Sequence, residues 1–323
     1  MKHRQLAIGI GSSLGMIALI LDGHTALEGA RLGIDLCLKT VIPSLFPFFV
    51  LSSMLTGAFF DTQLHHFKFL SRIFNIPSGS ESILIPGFLG GYPVGAQCIA
   101  DSYQKGLLSQ NEAQRMLGFC SNAGPAFLFG MVGPLFPSPW MVWCLWGIHI
   151  VSALLTAQVL ARKENSGSAV ASAQQPTFSK TLYASLRAMV TVCGWVVLFR
   201  VAIQFLKQWI LWIFPVNTQV LLIGLLELAN GCCELKLVED VAIRFLICSG
   251  ILSFGGLCVT MQTMSVIGDL SIKSYLLGKL LQTAFSLSIS MLLLYNLWYP
   301  LFFCGVLTFF RIGTRKKTVA FGK

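Results

Sequence analysis

The chain has 323 residues, 55% of them hydrophobic and only 11% charged, with a mean hydropathy of +0.73. Soluble domains carry about 25% charged residues, so this composition excludes an ordinary soluble domain and indicates an integral membrane protein. The net charge of +10 does not indicate nucleic acid, because the cations gather at the ends of apolar runs and at the C-terminus (Arg311, Arg315, Lys316, Lys317, Lys323), where they act as an orientation signal. The apolar runs are continuous rather than alternating, which argues against a β-barrel.

The N-terminus, MKHR followed by IGIGSSLGMIALIL, lacks a small-x-small cleavage site before Asp22. It reads as an uncleaved transmembrane helix. A spanning helix needs about 20 apolar residues. The expected spans are 5–22, 33–60, 112–135, 139–161, 183–206, 240–267 and 272–296, with a short one at 298–311. Segment 61–80, with His65, His66, Lys68 and Arg72 among apolar residues, reads as an amphipathic surface helix. Segment 163–180 (KENSGSAVASAQQPTFSK) is polar and rich in small residues, as a flexible linker between two halves would be.

Two apolar runs are interrupted. In ILIPGFLGGYPVGAQC (83–98), Pro86, Gly87, Gly90, Gly91, Pro93 and Gly95 argue against one straight helix. Ser121-Asn122-Ala123-Gly124-Pro125 follows as a second break. In the other half, the run 209–235 is broken by Pro215, Asn217, Gly224, Asn230 and Gly231, and Ser253-Phe254-Gly255-Gly256 follows. Gly95 to Gly124 is 29 residues and Gly231 to Gly256 is 25. Paired interruptions in corresponding positions of two halves point to a transporter's binding site. In lipid a broken helix persists only where protein, a cavity or a ligand satisfies its backbone. Both runs therefore read as re-entrant hairpins.

With the N-terminus inside, all Lys and Arg residues fall on the inner side except Arg31, Lys39, Arg200, Lys207, Lys236 and Arg244. Lys279 is counted among the inner cations. Both termini are then cytoplasmic, and the halves run in opposite directions. The expected fold is an all-α polytopic membrane helical bundle with two inverted repeats, each holding a re-entrant hairpin and a broken helix. Residues 1–30 form an N-terminal transmembrane helix, 31–162 the first repeat, 163–182 a cytoplasmic linker, 183–297 the second repeat, and 298–323 a terminal helix with a basic tail.

The candidate substrate-binding residues follow from these breaks. Gly90, Gly91, Tyr92, Pro93 and Gly95 form a tip where backbone N–H groups and a helix N-terminus suit carboxylate or phosphate; the bland alternative is close helix packing through small residues. Ser121, Asn122 and Gly124 face that tip, or merely kink a helix. In the second half, Glu227, Asn230 and Gly231 occupy the break, with Ser253, Gly255, Gly256 and Gln262 completing the pocket. An intramembrane carboxylate marks function by default, so Glu227 is a seat for H+, Na+ or a substrate nitrogen, or a protonated group bonded to a neighbouring helix. Arg200, Lys39 and Arg244 either snorkel to the interface or supply counter-charge. The ten cysteines form no CxxC and read as small buried hydrophobes. The sequence carries no Walker A, HExxH or GxSxG motif, so no catalytic residue, metal site or cofactor is expected, and the chain does not read as an enzyme.

The stretches VIPSLFPFFVLSSML (41–55), GFLGGYPVGAQ (87–97), NEAQRMLGFCSNAGPAFLFGMVG (111–133) and LSFGGLCVTMQTMS (252–265) resemble the sporulation integral membrane proteins of YlbJ type, within the nucleoside-recognition gate group. The resemblance covers roughly 30–270 and makes the two repeats gate-like. It implies a multi-pass protein of the cytoplasmic membrane of an endospore former, at the forespore, moving dipicolinic acid. The expected partners are the bilayer and a small-molecule anion substrate, with a coupling ion (H+ or Na+) or a homo-oligomer left open and no nucleic acid. The alternatives are a nucleoside or base transporter, and a non-transporting sporulation scaffold.

Overall fold

The computed structural model describes residues 2–61, 71, 74, 76, 80–161 and 177–295, and among these the only regular structure is helix. Helix α1 (Lys2–Leu21) is followed by α2 (Gly23–Leu36), which runs through a π-helical turn into α3 (Ile42–Asp61). Next come α4 (Glu81–Leu89), α5 (Val94–Gln104), α6 (Gln110–Leu117), the short α7 (Pro125–Phe127) and α8 (Pro139–Val159). The second half holds α9 (Phe178–Trp209), α10 (Val216–Leu226), α11 (Leu228–Glu234), α12 (Val241–Phe254), α13 (Gly256–Val266) and α14 (Ile272–Leu294).

Five helical stretches among the described residues are long and apolar enough to cross a membrane: Gly23–Leu51, Pro139–Val159, Phe178–Trp209, Val241–Val266 and Ile272–Leu294. Helix α1 leaves Leu14, Ile20 and Leu21 more than half exposed, an outer surface suited to hydrocarbon rather than water. Three expectations shift. The second span begins at Gly23, ten residues early, because Asp22 caps α2 by accepting from the Thr25 N–H at 3.1 Å. There a Cβ on Gly29 or Gly33 would come within 2.9 Å of the Val201 or Val197 backbone, so α2 lies tightly on α9. The span 112–135 is divided by residues 118–124. Finally, α9 starts at Phe178, inside the expected linker. Most of the expected amphipathic helix (61–80), residues 163–176 of the expected linker, and the terminal helix and basic tail over 298–323 lie outside the described residues.

Each half contains a helix–break–helix pair that folds back on itself. In the first, α4 and α5 flank Gly90–Pro93, where the Tyr92–Pro93 peptide is cis. In the second, α10 and α11 flank a single extended residue, Glu227 (φ −146°, ψ 122°). Two glycines hold each pair closed: a Cβ on Gly95 would lie 2.8 Å from Gly87 Cα, and one on Gly231 would lie 2.7 Å from Gly224 N. The following breaks dock alike, with Gly124 against Leu89 O and Gly256 against Gly224 O, each at 3.0 Å from a built Cβ. This corrects one expectation. Pro86, Gly87, Gly95, Asn217, Gly224, Asn230 and Gly231 lie inside helices and do not break the chain.

Candidate functional site

Both folded-back tips, the first break and α13, the helix that follows the second break, wall one cavity of about 40 Å³. Gly91 and Tyr92 come from the first tip, Gly124 and Phe127 from the first break, Glu227 and Ala229 from the second tip, and Val259 and Gln262 from α13. Apolar groups of α3 and α9 close the sides. Five of the expected site residues therefore line it: Gly91, Tyr92, Gly124, Glu227 and Gln262. Gly90 and Pro93 flank the first tip as C-cap of α4 and N-cap of α5. Gly95 and Gly231 stand behind the tips as packing positions.

The second tip satisfies itself. Glu227 Oε1 accepts from the Ala229 N–H at 3.1 Å, and Oε2 accepts from the Asn230 N–H and Nδ2 at 2.6 Å each. The N-terminus of α11 is thus capped by a side chain of its own tip. Arg200 Nη1 reaches Asn230 Oδ1 at 3.1 Å and Glu234 Oε1 at 3.3 Å, and Lys207 Nζ meets Glu234 at 2.6 Å. Arg200 is therefore turned inward to brace the second hairpin rather than snorkelling outward. Arg244 donates to the Val238 and Leu135 carbonyls, and Lys39 pairs with Asp35 on the surface.

The first tip is built differently, and its α5 N-terminus has no side-chain cap. Tyr92 Oη donates to Leu252 O at 3.2 Å, near the end of α12. There Gly255 has φ 82°, a left-handed conformation that glycine adopts without strain. A Cβ on Gly255 would press on the Tyr92 ring at 3.2 Å. Tyr92 also accepts a hydrogen bond from Lys279 Nζ at 3.1 Å. Lys279 is 0% exposed and donates in addition to Ser121 O and to Gln282 Oε1, the latter at 2.8 Å. Gln282 Nε2 donates to Asn122 Oδ1 at 2.9 Å, while Asn122 Nδ2 donates to Phe119 O at 2.7 Å. His149 Nε2 accepts from the Ala123 N–H at 3.2 Å, and its Nδ1 lies 3.4 Å from Ser253 Oγ. Ser121, Asn122 and Ser253 thus belong to one buried polar network behind Tyr92.

The sequence alone does not single out Lys279, Gln282 or His149, and its charge pattern puts Lys279 among the inner-surface cations. The structure corrects that placement: Lys279 sits in the bundle interior. A signal was present. Tyr275, Lys279, Gln282, Ser286 and Ser290 recur at helical spacing along one buried face of an otherwise apolar helix. Ser249 completes that seam from α12 at 2.6 and 2.7 Å from Ser286 and Ser290. The described cysteines are all free, and no group of three or more His, Cys, Asp or Glu residues is placed to hold a metal ion among the described residues.

No family model and no solved structure matches the chain. Among curated proteins, the sporulation integral membrane protein YlbJ of Bacillus subtilis (strain 168) is 26% identical to it, over 88% of this chain and 80% of that protein. With the all-helical structure, this places the chain in a membrane. The similarity extends over most of the chain and supports a YlbJ-type family relationship.

Proposed function

We propose that this chain is a multi-pass membrane transporter for a small organic anion, with dipicolinate during spore formation as the first candidate. One observation carries the reading: both folded-back tips and the first break, together with the helix that follows the second break, wall a single cavity. Irregular backbone at membrane depth persists where it lines a cavity, and discontinuous helices meeting between repeats form the sites of many secondary transporters. The matched glycine contacts at Gly87/Gly95 and Gly224/Gly231 support two gate-like inverted repeats (31–162 and 183–297) with re-entrant hairpins. The forespore membrane, with cytoplasmic termini, is the proposed location. No catalytic role is assigned.

The cavity is small. A volume of 40 Å³ holds about one water molecule, far less than a pyridine dicarboxylate. Substrate entry therefore requires a tip to move, by rocking or by elevator-like displacement of a hairpin. The first tip suits this role. It rests on α12 through Tyr92, whereas the second is braced by Arg200, Lys207 and its own Glu227 cap.

A nucleobase is the second reading, favoured by Glu227 and Gln262 as hydrogen-bonding groups on an apolar wall. The test is uptake of radiolabelled dipicolinate and nucleosides into proteoliposomes of the purified protein, under imposed H+ and Na+ gradients. Saturable dipicolinate uptake, lost in Asn122→Ala and Glu227→Gln, is expected. Folded protein that moves neither compound would leave the scaffold reading.

A further inference from the structure

Lys279 is buried in an unusual way for a lysine. Lysine is almost never fully buried unless it is paired, yet this one is 0% exposed and has no ion pair among the described residues. Its ammonium has three donors, and three neutral acceptors take them: Tyr92 Oη, Ser121 O and Gln282 Oε1. The hydrogen bonds are satisfied and the Tyr92 and Tyr275 rings lie 5.0 and 5.8 Å from the ammonium, but no carboxylate pairs with it among the described residues. An ionisable group inside a membrane bundle marks a substrate or ion path by default.

Two details indicate what balances this charge. Only one of the three residues that accept from Lys279 lines the cavity: Tyr92, in the first tip. Beside the second acceptor, Ser121 Oγ is fully buried and has no hydrogen-bond partner, leaving a donor open to an incoming oxygen. We propose that Lys279 is the specificity-determining residue of the transport site, receiving a carboxylate of the substrate on Nζ when Tyr92 leaves it.

This inference rests on the transport reading and deepens it. Tyr92 Oη holds the place a carboxylate oxygen takes. Its departure frees the ammonium, and it also breaks the Tyr92–Leu252 hydrogen bond that fastens the first tip to α12. Recognition of the anion and release of the tip are then one event. A ligand without a carboxylate offers Lys279 only another neutral acceptor in place of Tyr92 Oη, with no gain in charge pairing to offset the loss of the Tyr92 contacts.

The experiment compares dipicolinate with its neutral diamide on the full-length protein, by uptake into proteoliposomes and by ligand-induced thermal stabilisation in detergent. Lys279→Met is expected to raise the half-saturation concentration for dipicolinate about tenfold or more, the value of a lost charge-assisted hydrogen bond, with the diamide little affected. Lys279→Arg is expected to restore part of the preference. Should Lys279→Met fail to fold, Tyr92→Phe decides: it keeps the cation and removes its competitor, so the preference for dipicolinate over the diamide should rise severalfold. An unchanged or lower preference in Tyr92→Phe, or unchanged dipicolinate affinity in folded Lys279→Met, overturns the inference while wild-type uptake leaves the transport reading standing. If the wild type neither binds nor moves dipicolinate, the organic-anion reading falls, and this inference falls with it.

Discussion

The two tips share a backbone device and differ in everything polar. Each is a pair of short helices closed by facing glycines and followed by a break that docks on it. The second tip is self-contained: Glu227 caps α11, and Arg200 and Lys207 brace it from α9 through Asn230 and Glu234. The first depends on the other half of the chain, because Tyr92 is held by Leu252 O and Lys279, 160 and 187 residues away. The glycines therefore report architecture, and the side chains on the tips report division of labour. One hairpin is fastened to its own half and the other is latched across the bundle.

The strongest way to break this comparison is at the shared glycines. Gly95→Val and Gly231→Val each drive a side chain into backbone, at Gly87 and at Gly224. Both should lose about 4 kcal/mol or more through overpacking, read as loss of the monodisperse peak on size exclusion. A large difference between the two would end the correspondence. Next, Glu227→Ala removes the acceptor for two backbone N–H groups and Asn230 Nδ2. It should cost about 2 kcal/mol by thermal melting, where the first tip has no side-chain cap to lose.

Tyr92→Phe sharpens the contrast from the other side. It deletes one donated and one accepted hydrogen bond and should cost about 1–2 kcal/mol, and combining it with Lys279→Met should be less than additive, because the residues share one contact. Glu227→Ala and Tyr92→Phe, on separate networks, should add. Smallest of all, Lys39→Ala should change stability by less than about 0.5 kcal/mol, since its partner Asp35 is exposed with it. A larger loss would show that a surface cation, and not Lys279 alone, is part of the working charge set.

The sequence by itself determined the membrane class, because composition and long apolar runs act through hydropathy, which needs no knowledge of contacts. It also located the chain's interruptions at Gly90–Pro93, 121–125, Glu227 and Gly255, since glycine, proline and an intramembrane carboxylate carry local backbone meaning. The tertiary structure decided which glycines break a helix and which let two helices touch. Gly224 and Gly231 read alike with true breaks because their role depends on a neighbour brought back by the tip between them. It decided that Arg200 turns inward, and that His149 links Ala123 to Ser253. Above all it placed Lys279, which lies seven residues into α14 and reads along the chain as an interfacial cation. Its burial follows from Tyr92 and Ser121, groups more than 150 residues away. A charge's environment is set by what folds around it, and that information is not local.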